Sequence, residues 1–290
     1  ISLVENGKIS KAIKQIKKAK NSNQTDFYEA QILLIVDSLV NEDWQSVTNI
    51  LMNLENFKNE DGYSLVIHKI LNSYFDLFKN NEIVNKTNEN YGRISLITNA
   101  FQNCYIDSKK TKTLFANIIN SSSDDYSRYL FFYISEIILN KDFETAINIS
   151  KTIDPISSSL LILQLKNWIT NSKYQNITSL FSCKDKRHLL AEFFYLISNI
   201  YSADEDYKKS NFYLNISYFL NPNFYFNLSL LAENYFINEN YLSSKKVLEI
   251  FSEKDKVYFW FKVKKNTQII KQQKKKKRSF KLFRKKFSKD

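Results

Sequence analysis

The sequence predicts an all-α protein built from paired helices. Turn-forming residues are scarce, apolar residues recur with helical spacing, and one pattern returns after 34 residues. The chain has only 3 Gly and 2 Pro in 290 residues, whereas barrels, sandwiches and phosphate-binding loops need such residues at many positions. With 43% apolar residues, the chain can also bury a sizeable core. Helix is therefore the expected secondary structure throughout.

Taken in order, the predicted hairpins share one marker. An aromatic residue or Ile follows each polar turn and begins the second helix, and these positions are Ile9, Trp44, Phe143, Tyr174, Tyr207 and Tyr241. Between residues 62 and 120 the spacing is less regular, but Tyr63–Asn80 and Tyr91–Ile119 are also predicted to be helical hairpins, separated by the Asn-rich run 85–90. We predict about seven hairpins after a leading half-unit.

The repeat is clearest between residues 191 and 258. Six residues recur with a constant offset of 34 positions: Ser198, Tyr201, Tyr207, Ser210, Leu214 and Ser217 correspond to Ala232, Tyr235, Tyr241, Ser244, Leu248 and Phe251. The polar triplets 204–206 and 238–240 separate the two helices of each unit, and acidic residues there favour the following helix N-terminus. Small residues let helix backbones approach closely, while large residues fill the space between them. The pattern predicts a steric role.

These units resemble the tetratricopeptide repeat (TPR), a 34-residue helix-turn-helix, and Pro222 stands where that family usually has Pro between units. The resemblance implies a right-handed superhelical solenoid of antiparallel helix hairpins. It covers residues 1–261 and is strongest for 191–224 and 225–258, so the whole run is similar to bacterial multi-repeat TPR proteins in which degenerate units flank regular ones. The implied function is a non-catalytic scaffold for protein–protein interaction.

In the TPR family, the first helices of the units line a concave groove that commonly receives a peptide or helix of a partner. The outward positions of the first helices predict a partner-binding groove made of Glu192, Tyr195, Asn199, Ser202, Phe226, Ser229, Glu233 and Phe236. The two glutamates oppose an anionic ligand, so a clamp for a C-terminal carboxylate is not expected. The alternative for each residue is a purely solvated or packing role.

Catalytic and metal sites are not expected from this sequence. The glycines are isolated, so a phosphate-binding loop is excluded. His68 and His188 show no spacing typical of a catalytic triad, and His188 is expected to be exposed. Cys104 and Cys183 show neither zinc-site spacing nor a disulfide framework and are expected to be small core or semi-buried residues. We therefore predict no enzyme activity, no cofactor, no metal and no small-molecule substrate.

The positive charge is concentrated at the C-terminus. Residues 262–290 hold 14 of the 42 Lys and Arg and one acid, which leaves 28 basic and 29 acidic residues in 1–261. The residues predicted to bind an anionic surface are Lys274, Lys275, Lys276, Lys277, Arg278, Arg284, Lys285 and Lys286. Such a tail could lie on an anionic membrane, bind nucleic acid, or serve only as a solubilising tail. The alternative function is thus a peripheral membrane- or nucleic-acid-associated protein localised by 262–290.

The expected partner is an unidentified protein, and the compartment is open. The longest apolar stretches are interrupted well short of the ~20 residues that a membrane span needs. The chain opens on Ile1 without a signal-peptide pattern, which suggests a truncated N-terminus. We expect a soluble protein, with the cytoplasm slightly favoured over the periplasm.

Overall fold

A computed structural model of the chain describes residues 2–19, 27–84, 91–120, 127–156 and 158–287, apart from the side chains of Ser127 and residues 276–287. Every regular element in these ranges is a helix, which confirms the all-α class. The helices are α1 (Ser2–Glu5), α2 (Ile9–Ala19), α3 (Tyr28–Val40), α4 (Trp44–Glu55), α5 (Ser64–Asn80), α6 (Arg93–Tyr105), α7 (Thr111–Asn120), α8 (Ser127–Leu139), α9 (Phe143–Thr152), α10 (Leu160–Thr170), α11 (Tyr174–Thr178), α12 (Lys186–Ala203), α13 (Tyr207–Leu220), α14 (Phe226–Ile237), α15 (Tyr241–Leu248) and α16 (Lys256–Phe287).

One turn geometry recurs between paired helices. A residue with positive φ ends the first helix, and the following N–H donates to the carbonyl oxygen five residues earlier, as in a Schellman motif. The N···O distances of these hydrogen bonds are 2.8–3.1 Å. Within the described ranges, the positive-φ residues of these turns are Gly7, Glu42, Asp107, Lys141, Ser172, Glu205 and Glu239. The predicted second-helix starts are confirmed, since helices begin at Ile9, Trp44, Phe143, Tyr174, Tyr207 and Tyr241.

A polar residue directly after the positive-φ position caps the second helix in four of these turns. The backbone N–H three residues later donates to its side chain over 3.0–3.2 Å in the cases of Asp43, Asp142, Asp206 and Asn240. Such N-caps satisfy a backbone donor that has no partner inside the helix. The acidic triplet 204–206 therefore forms a turn, as the sequence predicts.

The small residues of the repeat hold the paired helices together. Ser210 Oγ donates to the carbonyl oxygen of Ser198 over 2.8 Å, and 34 positions later Ser244 Oγ donates to the carbonyl oxygen of Ala232 over 2.9 Å. Both hydroxyl-bearing side chains are fully buried. A larger residue would separate the helix backbones and remove the hydrogen bond. The small residues of the repeat therefore provide a specific polar contact as well as space for close packing.

The stretch Tyr63–Asn80 differs from the prediction. It forms one helix, α5, instead of a hairpin. Apolar residues such as Ile67, Leu71 and Tyr74 continue along one buried face without an internal turn residue, so nothing interrupts the helix. The Asn-rich run 85–90 lies outside the described residues. The second expected hairpin of this region is present as α6 and α7.

The chain divides into two compact units, Ile1–Phe224 and Tyr225–Asp290. In the first unit, α12 packs against its hairpin partner α13 and also against α3 and α6, while α1 contacts α13. Tyr74 of α5 contacts Phe193 of α12, with ring centroids 5.9 Å apart. Repeat proteins in which each unit touches only its neighbours lack such contacts. Helix α12 is consequently enclosed within its own unit.

In the second unit, α14 and α15 form a hairpin, and α16 packs against α15. Tyr258 and Ile269 of α16 are buried. The Tyr258 ring stacks on Phe251 at 5.3 Å between centroids, and Lys262 Nζ donates to the Phe251 carbonyl oxygen over 3.0 Å. The predicted boundary between residues 261 and 262 falls inside α16, while the compact units divide between residues 224 and 225.

Candidate functional site

Two of the predicted groove residues in the first unit are buried. Glu192 is 2% exposed and Tyr195 is 6% exposed. Arg128 of α8 donates from Nε to Glu192 Oε1 over 2.7 Å, and its guanidinium lies 3.6 Å from the centroid of the Tyr195 ring. The expectation that Glu192 and Tyr195 point outward is wrong, because α12 is enclosed by other helices. Asn199 is exposed and Ser202 is half-buried near the end of α12.

In the second unit, the chain itself covers part of the predicted groove. Lys265 of α16 forms an ion pair with Glu233, and its ammonium group lies 4.4 Å from the centroid of the Phe236 ring. Ser229 is buried and donates to the carbonyl oxygen of Phe226 over 2.6 Å, so its expected outward position is also wrong. Phe226, like Glu233 and Phe236, is half-buried.

A densely hydrogen-bonded carboxylate lies in the loop between α4 and α5. Asp61 accepts hydrogen bonds from Tyr201 Oη over 2.7 Å and from Lys209 Nζ over 2.6 Å. It also accepts from the backbone N–H groups of Tyr63 and Ser64, each over 2.9 Å. One aspartate thus joins this loop to the α12–α13 hairpin.

These contacts change the protonation of the groups involved. Burial opposes ionisation of Asp61, but the hydrogen bonds from Lys209 and Tyr201 lower its pKa well below the usual aspartate value. Burial together with the hydrogen bond to Asp61 raises the pKa of Tyr201. Burial also opposes the charge of Lys209, yet the hydrogen bond to Asp61 raises its pKa. At neutral pH the result is an ion pair between Asp61 and Lys209, with Tyr201 as a neutral donor.

A recess of about 120 Å³ opens beside this cluster, and we call it the acidic recess. Its lining residues are Glu5, Tyr28, Glu29, Glu60, Asp61, Asp206, Lys208, Lys209, Phe212 and Tyr213. Five carboxylates and two ammonium groups leave a net charge of −3 on this lining. Burial raises the pKa of both Tyr28 and Tyr213, so their rings stay neutral. Acidic and aromatic side chains together favour a cationic group.

Sequence reasoning missed the acidic recess because helical periodicity within any one segment does not reveal it. Its residues come from α1, from the start of α3, from the α4–α5 loop and from the α12–α13 hairpin, and they converge only through packing. In the sequence, each residue has an ordinary structural explanation, such as the N-cap position of Asp206.

The basic residues of the C-terminal segment lie on α16. Lys274 and Lys275 are exposed. The side chains of Lys276, Lys277, Arg278, Arg284, Lys285 and Lys286 lie outside those that the structure describes, although their backbone continues the helix to Phe287. Trp260 is 66% exposed on the same helix. The sequence does not single it out, because residues 257–261 are all apolar.

The two cysteines form a disulfide, contrary to the sequence-based expectation. Cys104 at the end of α6 is bonded to Cys183 in the loop before α12, 79 residues later. Neither spacing nor composition predicts this pair, since the Cα atoms come within 5.6 Å only through packing.

His188 is half-buried instead of exposed, and its Nδ1 accepts from the N–H of Ser182 over 3.0 Å. Burial lowers the pKa of His188.

Across the described part of the chain, His, Cys, Asp and Glu side chains nowhere converge in groups of three that could hold a metal ion. Among the same residues, none of the helices combines the length and the apolarity needed to cross a membrane.

Comparisons of the chain with family models, with curated proteins and with solved structures found no match. The resemblance to TPR units therefore rests on the residues themselves.

Proposed function

We propose that this chain is a non-catalytic interaction scaffold that binds a partner protein. The observation that carries the proposal is the recurrence, 34 residues apart, of the same turn, cap and buried serine hydrogen bond in α12–α13 and α14–α15. Repeated helical hairpins present rigid side chains, which keeps the entropic cost of binding low. The right-handed, TPR-like superhelical arrangement of these hairpins belongs to the same proposal.

The acidic recess is the place where the partner docks in this proposal, in preference to the predicted groove. Glu192, Tyr195 and Ser229 are buried, so a partner segment would have to displace packed helices to reach them. The recess is open, carries a net charge of −3 and has the volume of a single side chain. A Lys or Arg side chain of the partner fits this chemistry because its charge is compensated and its stem packs on Tyr28 and Phe212.

The test reverses the charge of two carboxylates that line the recess, Glu29 and Glu60. We expect the Glu29→Lys, Glu60→Lys double variant to lose a protein partner that the wild type captures from lysate, and to bind a tetralysine peptide at least about tenfold more weakly. A matched double variant, Glu82→Lys with Glu144→Lys, makes the same charge change at exposed positions of the same unit. It should behave as the wild type.

Binding of tetralysine is followed by NMR through the backbone amide resonances of the recess residues. Tetraglutamate, a peptide of opposite charge, is titrated in the same way for comparison. Equal capture and equal tetralysine affinity of the two double variants would reject the recess as the docking site. Circular dichroism establishes that both variants remain helical.

We also propose that the protein works in an oxidising compartment, in contrast to the preference for the cytoplasm that the sequence suggests. The support is the Cys104–Cys183 disulfide, because cytosolic thiols are kept reduced. Mass spectrometry of the native protein under non-reducing conditions tests this. A peptide pair linked through Cys104 and Cys183 is expected, and two thiols that react with a maleimide without prior reduction would contradict it.

A further inference from the structure

One side of α16 is apolar and basic at once, and we call it the outer face. Three apolar side chains on it are exposed to solvent: Trp260 by 66%, Val263 by 38% and Ile270 by 47%. The spacings of three and seven residues place them along one line of the helix. Thr267 lies between them and donates its hydroxyl to the Val263 carbonyl oxygen over 3.0 Å. A continuous apolar line is therefore available on the surface.

Lysines flank this line. The exposed Lys264 and Lys271 lie beside Trp260 on the helical wheel, and Lys274 and Lys275 continue the same side one turn later. The sequence of α16 contains no acidic residue between Lys256 and Phe287, so these charges have no acidic neighbour on their own helix. The outer face thus combines exposed apolar side chains with a concentration of positive charge.

The opposite side of α16 is already used inside its unit. Tyr258 and Ile269 are buried, and Lys265 pairs with Glu233 of α14. Lys245 of α15 donates to Gln273 Oε1 over 3.5 Å. Because these contacts fix the rotation of α16 about its axis, Trp260, Val263 and Ile270 are held on the outward side of the helix.

We propose that the outer face of α16 binds the surface of an anionic phospholipid bilayer, with the helix parallel to the membrane plane. Trp260, Val263 and Ile270 enter the boundary between headgroups and acyl chains, and the flanking lysines contact lipid phosphates. Charge complementarity and the exposed apolar line both favour this partner. A nucleic acid would satisfy the lysines but would leave the apolar line in water. The inference is independent of the acidic recess.

The experiment is co-sedimentation of the full chain with phosphatidylcholine vesicles, with and without phosphatidylglycerol. We expect binding only to the anionic vesicles, and a Lys264→Glu, Lys271→Glu variant should bind them at least about tenfold more weakly. The matched control is Lys246→Glu, an exposed lysine of α15, which should bind as the wild type. Trp260→Ala should also weaken binding, even at low salt, because the apolar contact is lost.

A second readout follows the insertion of Trp260 directly. A Trp44→Phe, Trp168→Phe variant retains Trp260 as its single tryptophan, and its emission should shift to the blue on anionic vesicles. If this variant does not fold, quenching of the native chain by lipids brominated on their acyl chains gives the same information. An unshifted emission, or equal vesicle binding of the Lys264→Glu, Lys271→Glu variant and the wild type, overturns the proposal. So does binding to oligothymidine without binding to vesicles.

Discussion

Arg128 of α8 and Glu192 of α12 form a buried two-point ion pair although they are 64 residues apart in the chain, with distances of 2.7 Å from Nε to Oε1 and 2.5 Å from Nη2 to Oε2. The guanidinium also lies 4.8 Å from the centroid of the Phe224 ring. The pair fixes α12 against α8 inside the first unit. Because the pair is buried, Glu192 cannot contact a partner, although the sequence predicted it to line the binding groove.

Removing one member of this pair should destabilise the protein strongly. Glu192→Leu leaves Arg128 charged and buried, and we expect the free energy of unfolding to fall by about 3–5 kcal/mol. The double variant Arg128→Met, Glu192→Leu should recover most of that loss because no charge remains inside. Urea unfolding measures both. A double variant no more stable than Glu192→Leu would show that the packing, and not the unpaired charge, dominates.

Asp61 makes the stability depend on pH in the acidic range. Its pKa is lowered in the folded chain, so its contribution is fully present above about pH 4, the ordinary pKa of an unfolded aspartate, and is lost as the pH falls towards the folded value. Asp61→Asn should cost about 1–2 kcal/mol at pH 7. The difference from the wild type should shrink below pH 4.

Thermal unfolding between neutral and acidic pH checks this dependence. Glu249→Gln, at an exposed carboxylate after α15, is the matched control and should leave the pH profile unchanged. A stability difference between Asp61→Asn and the wild type that stays constant down to pH 2 would be inconsistent with a lowered pKa of Asp61.

The disulfide should contribute substantially to stability. Cys104 and Cys183 close a loop over a sequence separation of 79 residues, and restricting an unfolded chain by such a loop is worth about 4 kcal/mol. We expect the Cys104→Ser, Cys183→Ser variant to lose that amount relative to the oxidised wild type. Reduction of the wild type should have a similar effect. If reduced and oxidised protein unfold at the same denaturant concentration, the bond is not part of the folded state.

The buried serines of the repeat should respond alike in both hairpins. Ser210→Leu and Ser244→Leu each force apart two packed helices, and we expect a loss of about 1–3 kcal/mol in each case. Ser210→Ala removes the hydroxyl that donates to the Ser198 carbonyl oxygen without adding bulk, and it should cost about 1 kcal/mol. Ala203→Leu, at an exposed position of α12, is the control and should have little effect. Differential scanning calorimetry of the four variants gives the comparison.

The sequence alone determined the turns and helix starts of most hairpins in this protein, although not the single helix α5. Helix starts such as Trp44, Tyr207 and Tyr241, and caps such as Asp206 and Asn240, were predictable because a turn and its hydrogen bonds involve residues only a few positions apart. The 34-residue recurrence also indicated which small residues lie where the paired helices pack closely.

Only the tertiary structure decided which surfaces are used within the chain. The Arg128–Glu192 pair, the Asp61–Tyr201 hydrogen bond and the Cys104–Cys183 bond join residues separated by 64, 140 and 79 positions. The same holds for Lys265, which covers Glu233 and Phe236. Periodicity identifies the buried face of a helix but not the element that covers it, because that choice depends on how all the helices of a unit pack together.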